Sequence, residues 1–562
     1  MKFNIALAVI LLAAGNTQSQ TTVPIPLSLE GTTFDLMVQH GTSEIFPGIQ
    51  TNTIGYNGTQ LGPTLILKKG ETVTLKVHNQ LGDTTTVHWH GLHVAASNDG
   101  SPHNPILAGA DWSPSFTVLD HAATYWYHPH LHGKTLNQVV KGAAGFIIVR
   151  DDEEAALNLP RTYGVDDVPL VFQWKTFNTD KQIVETDELD NEVLVNGALR
   201  GGTLALPAQV VRLRLLNGSS HRYFDFGFAN NLVFNQIGGD GGLLDAPVSM
   251  SKLILSPGER VEILVDLTGK EGQTLTFRQF GSQLPQGYPG GMMMNMGGGN
   301  MMGPLDDTDF DLMTISVIAP TANPVTSIPA TLVANAPLSQ TGATPRSLAM
   351  TAQPMMSMTN FFLNGLKFDM ENINFTVDQG KTEVWTLTNQ TMMAHPFHLH
   401  GNSFWVVSIG GSTPPANMRG RKDVITVPPM NGSVKIVVRY DDFSDLEMPY
   451  MYHCHILSHE DTGMMGQFLV KAAASGTYEK VEDNLQFHPN PASETVFFEL
   501  NNSLAESAFC NVYNTLGQLV LQQTLLISKG CGNIELVKLP IGSYAVQIQS
   551  GGKTYTGIFV KQ

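Results

Sequence analysis

Residues 64–79 read TLILKKGETVTLKVHN. Two short runs alternate apolar with polar residues, and a Lys-Gly-Glu turn joins them. In an extended chain that alternation sends one set of side chains to each face, so each run reads as a strand with one buried side. The same signature recurs in VVRLRLLNGS (210–219), RVEILVDL (260–267) and KTEVWTLTN (381–389). Three of the runs end in asparagine, at Val73–Asn79, Leu213–Asn217 and Val384–Asn389. A repeat of roughly 150 residues predicts three similar β-sandwiches, over 21–152, 165–320 and 345–472. The acidic stretch Asp151–Glu154, with LPRTYGVDDVPL (159–170), reads as the first linker, and the Pro- and Thr-rich stretch Pro320–Pro345 as the second. No long amphipathic helix interrupts the pattern, so the expected fold class is all-β.

Composition agrees with that reading. The chain has 562 residues, enough for about four domains. Charged residues are only 14%, while Gly (54) and Pro (31) are plentiful. Low charge with many turn formers favours sheets over long surface helices and argues against disorder. The net charge of −17 disfavours a nucleic-acid partner. Three cysteines rule out a disulfide scaffold. Eighteen His and 23 Met are the oddity, and both side chains are copper ligands.

The two ends carry their own signals. Lys2 and the apolar run Ile5–Gly15 predict a secretory signal peptide over residues 1–20, too short to span a bilayer. No later run is apolar enough to span, and a monomer is expected. From 485 to 562, short alternating strands bounded by Asn, Gly and Pro predict a small additional β-sandwich. Its Pro489-Asn490-Pro491 opening, its Asn514–Gln518 turn, its LPIGSY segment (539–544) and its basic last strand resemble the C-terminal sorting domain of proteins secreted by Bacteroidetes-type bacteria. The resemblance implies a secretion machinery as partner and a periplasmic, cell-surface or secreted location. Cys510 and Cys531 lie in this segment, where an oxidising compartment makes a disulfide plausible.

The histidines are paired at one spacing: His88-Trp-His90, His128-Pro-His130, His398-Leu-His400 and His453-Cys-His455. Residues i and i+2 of a strand face the same side, so each pair presents two imidazoles together. Eight imidazoles exceed one metal's needs and suit a cluster of three. In His453-Cys454-His455-Ile-Leu-Ser-His459-Glu-Asp-Thr-Gly-Met464, Cys454 points away from the face its neighbours use. It then meets His459, Met464 and, from before the third pair, His395. Two His, a thiolate and a weak axial Met make a blue-copper electron-transfer site. His453 and His455 are covalent neighbours of that thiolate, which gives electrons a short bonded route to the cluster.

The four segments HWHGLH (88–93), YWYHPHLHG (125–133), HPFHLHG (395–401) and HCHILSHEDTGMM (453–465) resemble the copper motifs of three-domain multicopper oxidases. The resemblance covers about 22–472 and implies three cupredoxin-like Greek-key domains, four copper ions and O2 as electron acceptor. It implies type 1 copper at His395, Cys454, His459 and Met464, and type 2 copper at His88 and His398. It implies a type 3 pair at His90, His128, His130, His400, His453 and His455. His93 and His132 fall outside this ligand pattern and are expected to be structural. Asp99 and Glu460 resemble acids that the family uses for proton delivery.

The reducing substrate is open at this point. Met292, Met293, Met294, Met296, Met301 and Met302 lie in one Gly-rich stretch, and Met355, Met356 and Met358 follow Pro354. Thioether sulfur prefers Cu(I). The chain resembles bacterial copper-tolerance oxidases, although its Met stretches are shorter and one falls late in the second repeat. Cu(I), phenols or bilirubin-like pigments are the candidate substrates. Copper binding without turnover is the alternative from another class.

Overall fold

A computed structural model describes residues 21–186, 189–292, 302–353, 360–472, 485–500, 507–528, 530–550 and 553–562. The expected signal peptide and Met293, Met294, Met296, Met301, Met355, Met356 and Met358 lie outside the described residues. The chain divides into two compact units, 1–472 and 473–562.

The first unit holds three pairs of sheets. In the first pair, Ser28–Glu30, Thr64–Lys68, Gly145–Arg150, Ala123–His128 and His88–His90 face a sheet built on Thr33–Phe46 and Thr72–Asn79. The middle pair sets a seven-stranded sheet, with Asp167–Lys175, Val210–Asn217 and Arg260–Asp266 at its centre, against five strands. In the third pair a six-stranded sheet built on Thr382–Asn389 and Gly432–Arg439 faces five strands that include His395–Leu399 and Asp445–Cys454. Each sandwich encloses its own apolar core.

The asparagine-ended strands make the repeat visible in the register. Each pairs in parallel with the first strand of its sheet, so that Val38 lies opposite Asn79, Phe172 opposite Asn217 and Met350 opposite Asn389. All three asparagines are fully buried and do the same work. Each Oδ1 accepts the N–H two residues on, from Leu81, Ser219 or Thr391, at 2.9–3.0 Å. Each Nδ2 donates to a carbonyl four or five residues on (Asp83, Arg222 or Met393) and to a second across the corner (Ile106, Leu255 or Val427). The side chain thus satisfies the backbone where the strand leaves its sheet, which an apolar residue could not do.

The linkers are more than tethers. Asp151 caps a short helix, Asp152–Ala155, by accepting the Glu154 N–H at 2.7 Å. Glu154 is buried and pairs with Arg212 at 2.7 Å instead of lying in solvent as its acidic run suggests. Within the second linker, Leu332 packs on Leu159, Leu243 and Leu244.

The second unit is a separate sandwich of three and four strands with its own core. Cys510 is buried on Ser507–Tyr513 and Cys531 is exposed at the start of Cys531–Glu535 on the other sheet; no disulfide joins them. Among the described residues no helix is long and apolar enough to cross a membrane.

Candidate metal centre

The four His-x-His pairs converge between the first and third sandwiches. His88–His90 pairs with Ala123–His128, and His395–Leu399 pairs with Asp445–Cys454, so each sandwich brings two pairs to one strand edge. All eight imidazoles are buried. Two mixed ring stacks join the halves: His88 on His400 at 4.0 Å and His90 on His398 at 3.8 Å between centroids.

The nitrogens sort into groups. His130 Nε2, His400 Nε2 and His453 Nε2 lie 3.1–3.2 Å from one another. His90 Nδ1 lies 3.3 Å from both His128 Nε2 and His455 Nε2. His88 Nε2 and His398 Nε2 face each other at 3.4 Å.

The outer nitrogens explain what these contacts need. His88 Nδ1 meets the Asp99 carbonyl at 2.8 Å, His398 Nδ1 the Asp423 carbonyl at 2.9 Å, and His453 Nδ1 the Cys454 carbonyl at 3.0 Å. A carbonyl only accepts, so each of these Nδ1 atoms carries the proton and each Nε2 presents a lone pair. His400 Nδ1 donates likewise to Asp99 Oδ2 at 2.7 Å and His90 Nε2 to Asp423 Oδ1 at 3.1 Å. Lone pairs of neutral rings directed at one another repel unless a cation lies between them. A point equidistant from the first trio lies about 1.8 Å from each nitrogen, close to the ~2.0 Å of a metal–imidazole bond. Burial, reinforced by the neighbouring imidazoles, holds His128, His130, His398, His453 and His455 well below the usual imidazole pKa. Neutral imidazole is the form that binds metal. The residues present therefore fit a metal cluster.

Asp99 and Asp423 hold the rings as a pseudo-symmetric pair. Each uses its carbonyl for a His of its own sandwich and its carboxylate for a His of the other. Their charge environments differ. Asp423 is clamped by Arg260 of the middle sandwich at 2.5 and 2.6 Å, whereas Asp99 faces only imidazoles among the contacts described. Burial alone would raise the Asp99 carboxyl, but His88 and His400 hold it below the usual carboxylate range. Glu460 lies across the cluster, its oxygens 3.3 Å from His130 Nδ1 and His453 Nδ1 without hydrogen-bond alignment. Burial, with Asp461 adding to it, pushes Glu460 well above the carboxylate range. Asp423 and Arg260 were not legible as site residues, because neither stands in a histidine motif and their meeting is tertiary.

A second group lies on the opposite side of Cys454. Its Sγ is 3.5 Å from His395 Nδ1 and 3.6 Å from His459 Nδ1, and the Ile456 N–H points at the sulfur from 3.5 Å. His395 Nε2 is held by Thr391 Oγ1 at 2.8 Å. Met464 is buried in the same core, and its carbonyl accepts the Cys454 N–H at 3.1 Å. Phe361 covers both imidazoles, 4.8 Å from His395 and 4.2 Å from His459. The residues singled out from sequence spacing are thus brought together as a group of His395, Cys454 and His459, with Met464 buried in the same core, and as a group of eight imidazoles. His93 and His132 stay apart: His93 bridges the Gly401 carbonyl and Asp442, and His132 rests on Phe368.

Comparison with known proteins agrees with this geometry. Residues 37–154 and 341–474 match family models described as multicopper oxidase, and 486–562 match the secretion system C-terminal sorting domain. The multicopper oxidase mco of Staphylococcus haemolyticus is 36% identical over 446 residues, covering 78% of this chain and 88% of the relative. The cell division protein FtsP of Escherichia coli is 30% identical over 468 residues, covering 82% and 94%. A solved structure of a laccase-like multicopper oxidase, CueO of an Ochrobactrum species, superposes with TM-score 0.71 at 34% identity, covering 80% of this chain and all of that one. The sorting domain marks the protein for export. An all-β chain of cupredoxin-like sandwiches, carrying imidazole groups that fit copper, it belongs to the multicopper oxidases, oxidoreductases with copper as cofactor.

Proposed function

We propose that the protein couples four one-electron oxidations of a small reductant to the reduction of O2 to two waters, with Cu(I) as the reductant. The observation that carries the reading is the segment 453–455, whose thiol faces one imidazole pair while its two histidines belong to the eight-imidazole group. His395, Cys454, His459 and Met464 hold type 1 copper. His88 and His398 hold type 2 copper. His90, His128 and His455 hold one type 3 ion, and His130, His400 and His453 the other. Copper at these positions supplies single-electron uptake at Cys454 and four-electron delivery to O2 at the cluster.

The chain's own groups do the rest. The backbone from Cys454 to His453 and His455 gives electrons a bonded path. Phe361 and the surrounding core keep water from the thiolate. Reduction of O2 consumes four protons, and the two carboxyls beside the cluster have been driven apart. Glu460, raised by burial, holds a proton beside His130 and His453. Asp99, held ionised, accepts one and relays it past His400. Asp423 is fixed by Arg260 and orients His90 and His398.

Cu(I) is favoured over bulkier donors by where the Gly-rich Met stretch begins and ends. The Ala394 N–H, next to His395, donates to the Gly287 carbonyl at 2.9 Å, and the Tyr223 N–H to the Pro289 carbonyl at 2.9 Å. At the far end Gly303 N–H donates to Asp306, which clamps Arg222. Though late in the second repeat, the stretch is rooted beside the type 1 group. Phenols form the second reading, since the Ochrobactrum relative is described with activity towards lignin model compounds and lignosulfonate. The test is oxygen uptake by the copper-loaded protein with Cu(I), a dimethoxyphenol and bilirubin side by side. Cu(I) should be consumed at four per O2. Deleting Pro289–Gly303 should cost cuprous activity and raise phenol activity; a phenol oxidase responds little, and a storage protein consumes no oxygen.

A further inference from the structure

A cavity of 410 Å3 opens where the three sandwiches and the second linker meet. None of the residues in the metal groups lines it. Tyr125 and Asp120 come from the first sandwich, Gly241 from the middle one, Leu338 from the linker, and Trp405 and Arg421 from the third. Its mouth is formed by exposed residues, among them Ala336, Asp441 and Asp442. The volume is within the range of sites that hold small organic molecules.

Most of the charges lining it are already paired. Arg439 donates to Asp441 at 2.9 Å, and His93 meets Asp442 at 2.7 Å. Two charges have no ionic partner among the described residues. Arg421 Nη1 donates to the neutral Asn335 Oδ1 at 2.8 Å, and its guanidinium lies 5.0 Å from the centroid of the Trp405 ring. Asp120 is only 7% exposed. Its Oδ1 accepts the His93 N–H at 2.9 Å, while its Oδ2 is buried with no hydrogen-bond partner. Burial pushes this carboxyl above the usual carboxylate range, and the charge of His93 only partly offsets that. The segments that carry the two groups approach over Gly242. A Cβ there would stand 3.8 Å from Arg421 Nη1 and 3.7 Å from the Cβ of His121, the residue after Asp120.

We propose that this cavity binds a small zwitterion, a free amino acid, with its carboxylate on Arg421 and its ammonium on Asp120 Oδ2. A buried carboxylate oxygen without a donor is costly, and an ammonium supplies the donor and the opposite charge together. A simple anion would satisfy Arg421 and leave Asp120 as it is; a simple cation would do the reverse. A zwitterion satisfies both and brings no net charge into the cavity. Leu119, Leu338 and the Tyr125 ring leave an apolar wall for its body. The site uses no metal ligand, so it stands independently of the oxidase reading. A ligand held on Asp120 and Arg421 ties the first sandwich to the third.

The experiment is calorimetric titration of the copper-loaded full chain with L-leucine, with δ-aminovalerate, and with isocaproate, which is the leucine skeleton without its amine. The first two carry the same pair of charges at short and long separation, and binding of either supports the assignment. Isocaproate should bind at least about tenfold more weakly than the better zwitterion. Asp120→Asn keeps the acceptor for the His93 N–H and removes the charge. It should weaken the zwitterion about tenfold and leave isocaproate within about twofold, so that the preference for the amine disappears. Arg421→Gln should weaken both kinds of ligand about tenfold. Ala336→Trp alters an exposed linker residue and touches neither charge; by filling the mouth it should abolish binding at an unchanged Tm. Should either charge variant fail to fold, Ala336→Trp carries the comparison. The assignment falls if neither zwitterion binds or if isocaproate binds as well as they do. It falls equally if the parent and Ala336→Trp bind alike, the result that chelation of copper by the free amino acid would give.

Discussion

Arg260 offers the sharpest test of how the cluster is held. Its side chain comes from the middle sandwich, has no exposed area, and meets Asp423 at 2.5 and 2.6 Å. It also donates to the carbonyls of Thr124 at 3.0 Å and Asp240 at 2.9 Å, so one guanidinium joins all three sandwiches. Arg260→Met removes the cation and leaves the Asp423 carboxylate buried beside two imidazoles, His90 at 3.1 Å and His398 at 3.7 Å. Breaking a buried pair from one side costs about 3–5 kcal/mol, because the surviving charge is stranded. At roughly 2.1 cal/mol/K per residue, a unit of this size unfolds with about 1 kcal/mol/K of entropy. The metal-free protein should therefore lose about 3–5 °C in Tm if the unit melts as one. The double variant Arg260→Met/Asp423→Asn strands no charge and should recover at least half of the loss. The measurement is thermal unfolding of the chelator-treated protein for parent, both singles and the double. A single Arg260→Met within about 1 kcal/mol of the parent, or a double variant as costly as the sum of the singles, would refute the argument.

Four further outcomes are expected. Cys454→Ser should abolish the visible type 1 absorption and turnover with every reductant, while copper analysis still finds the cluster ions. Asp99→Asn should slow O2 reduction and leave the type 1 absorption intact, and turnover unchanged across pH would exclude its proton role. Asn389→Ala removes four buried hydrogen bonds and leaves the Thr391 N–H and the Met393 and Val427 carbonyls without that partner, so stability should fall by about 2–4 kcal/mol in denaturant titration. Burial lowers the Lys175 ammonium to about 7, at the carbonyl end of the helix Thr135–Val140. The unfolded chain then binds the extra proton between pH 7 and the ordinary lysine value, so this site adds stability as pH rises through that window. Lys175→Met should flatten the difference; an unchanged slope of stability against pH would contradict the shift.

Much of the fold was legible because its signals are local. Period-two alternation and the asparagine endings of three strands sufficed for three sandwiches, since a strand buries one face wherever it goes. The structure adds why the asparagines recur: each closes the backbone hydrogen bonds at an equivalent corner. The helix at Asp152–Ala155 and the buried Glu154 were not legible, because the partner that draws Glu154 inward, Arg212, is 58 residues away.

The side chains that form the candidate metal groups were legible too. His-x-His spacing, with Cys454 between two histidines, points to which groups face together where the chain is extended; only His88–His90 lies wholly within a strand, and His130, His400 and His455 stand just past a strand end. Which nitrogen faces inward was decided by tertiary contacts for His90, His398 and His400, whose partners on Asp423 and Asp99 lie far along the chain, whereas His128 and His453 use the carbonyl of the next residue. So was the inequality of Asp99 and Asp423, one left with imidazoles and the other neutralised by Arg260. The same holds for the neighbourhood of His395, where the root of the Met stretch arrives from the middle sandwich. Spacing determines what one strand can present; only packing between sandwiches determines what it is presented to.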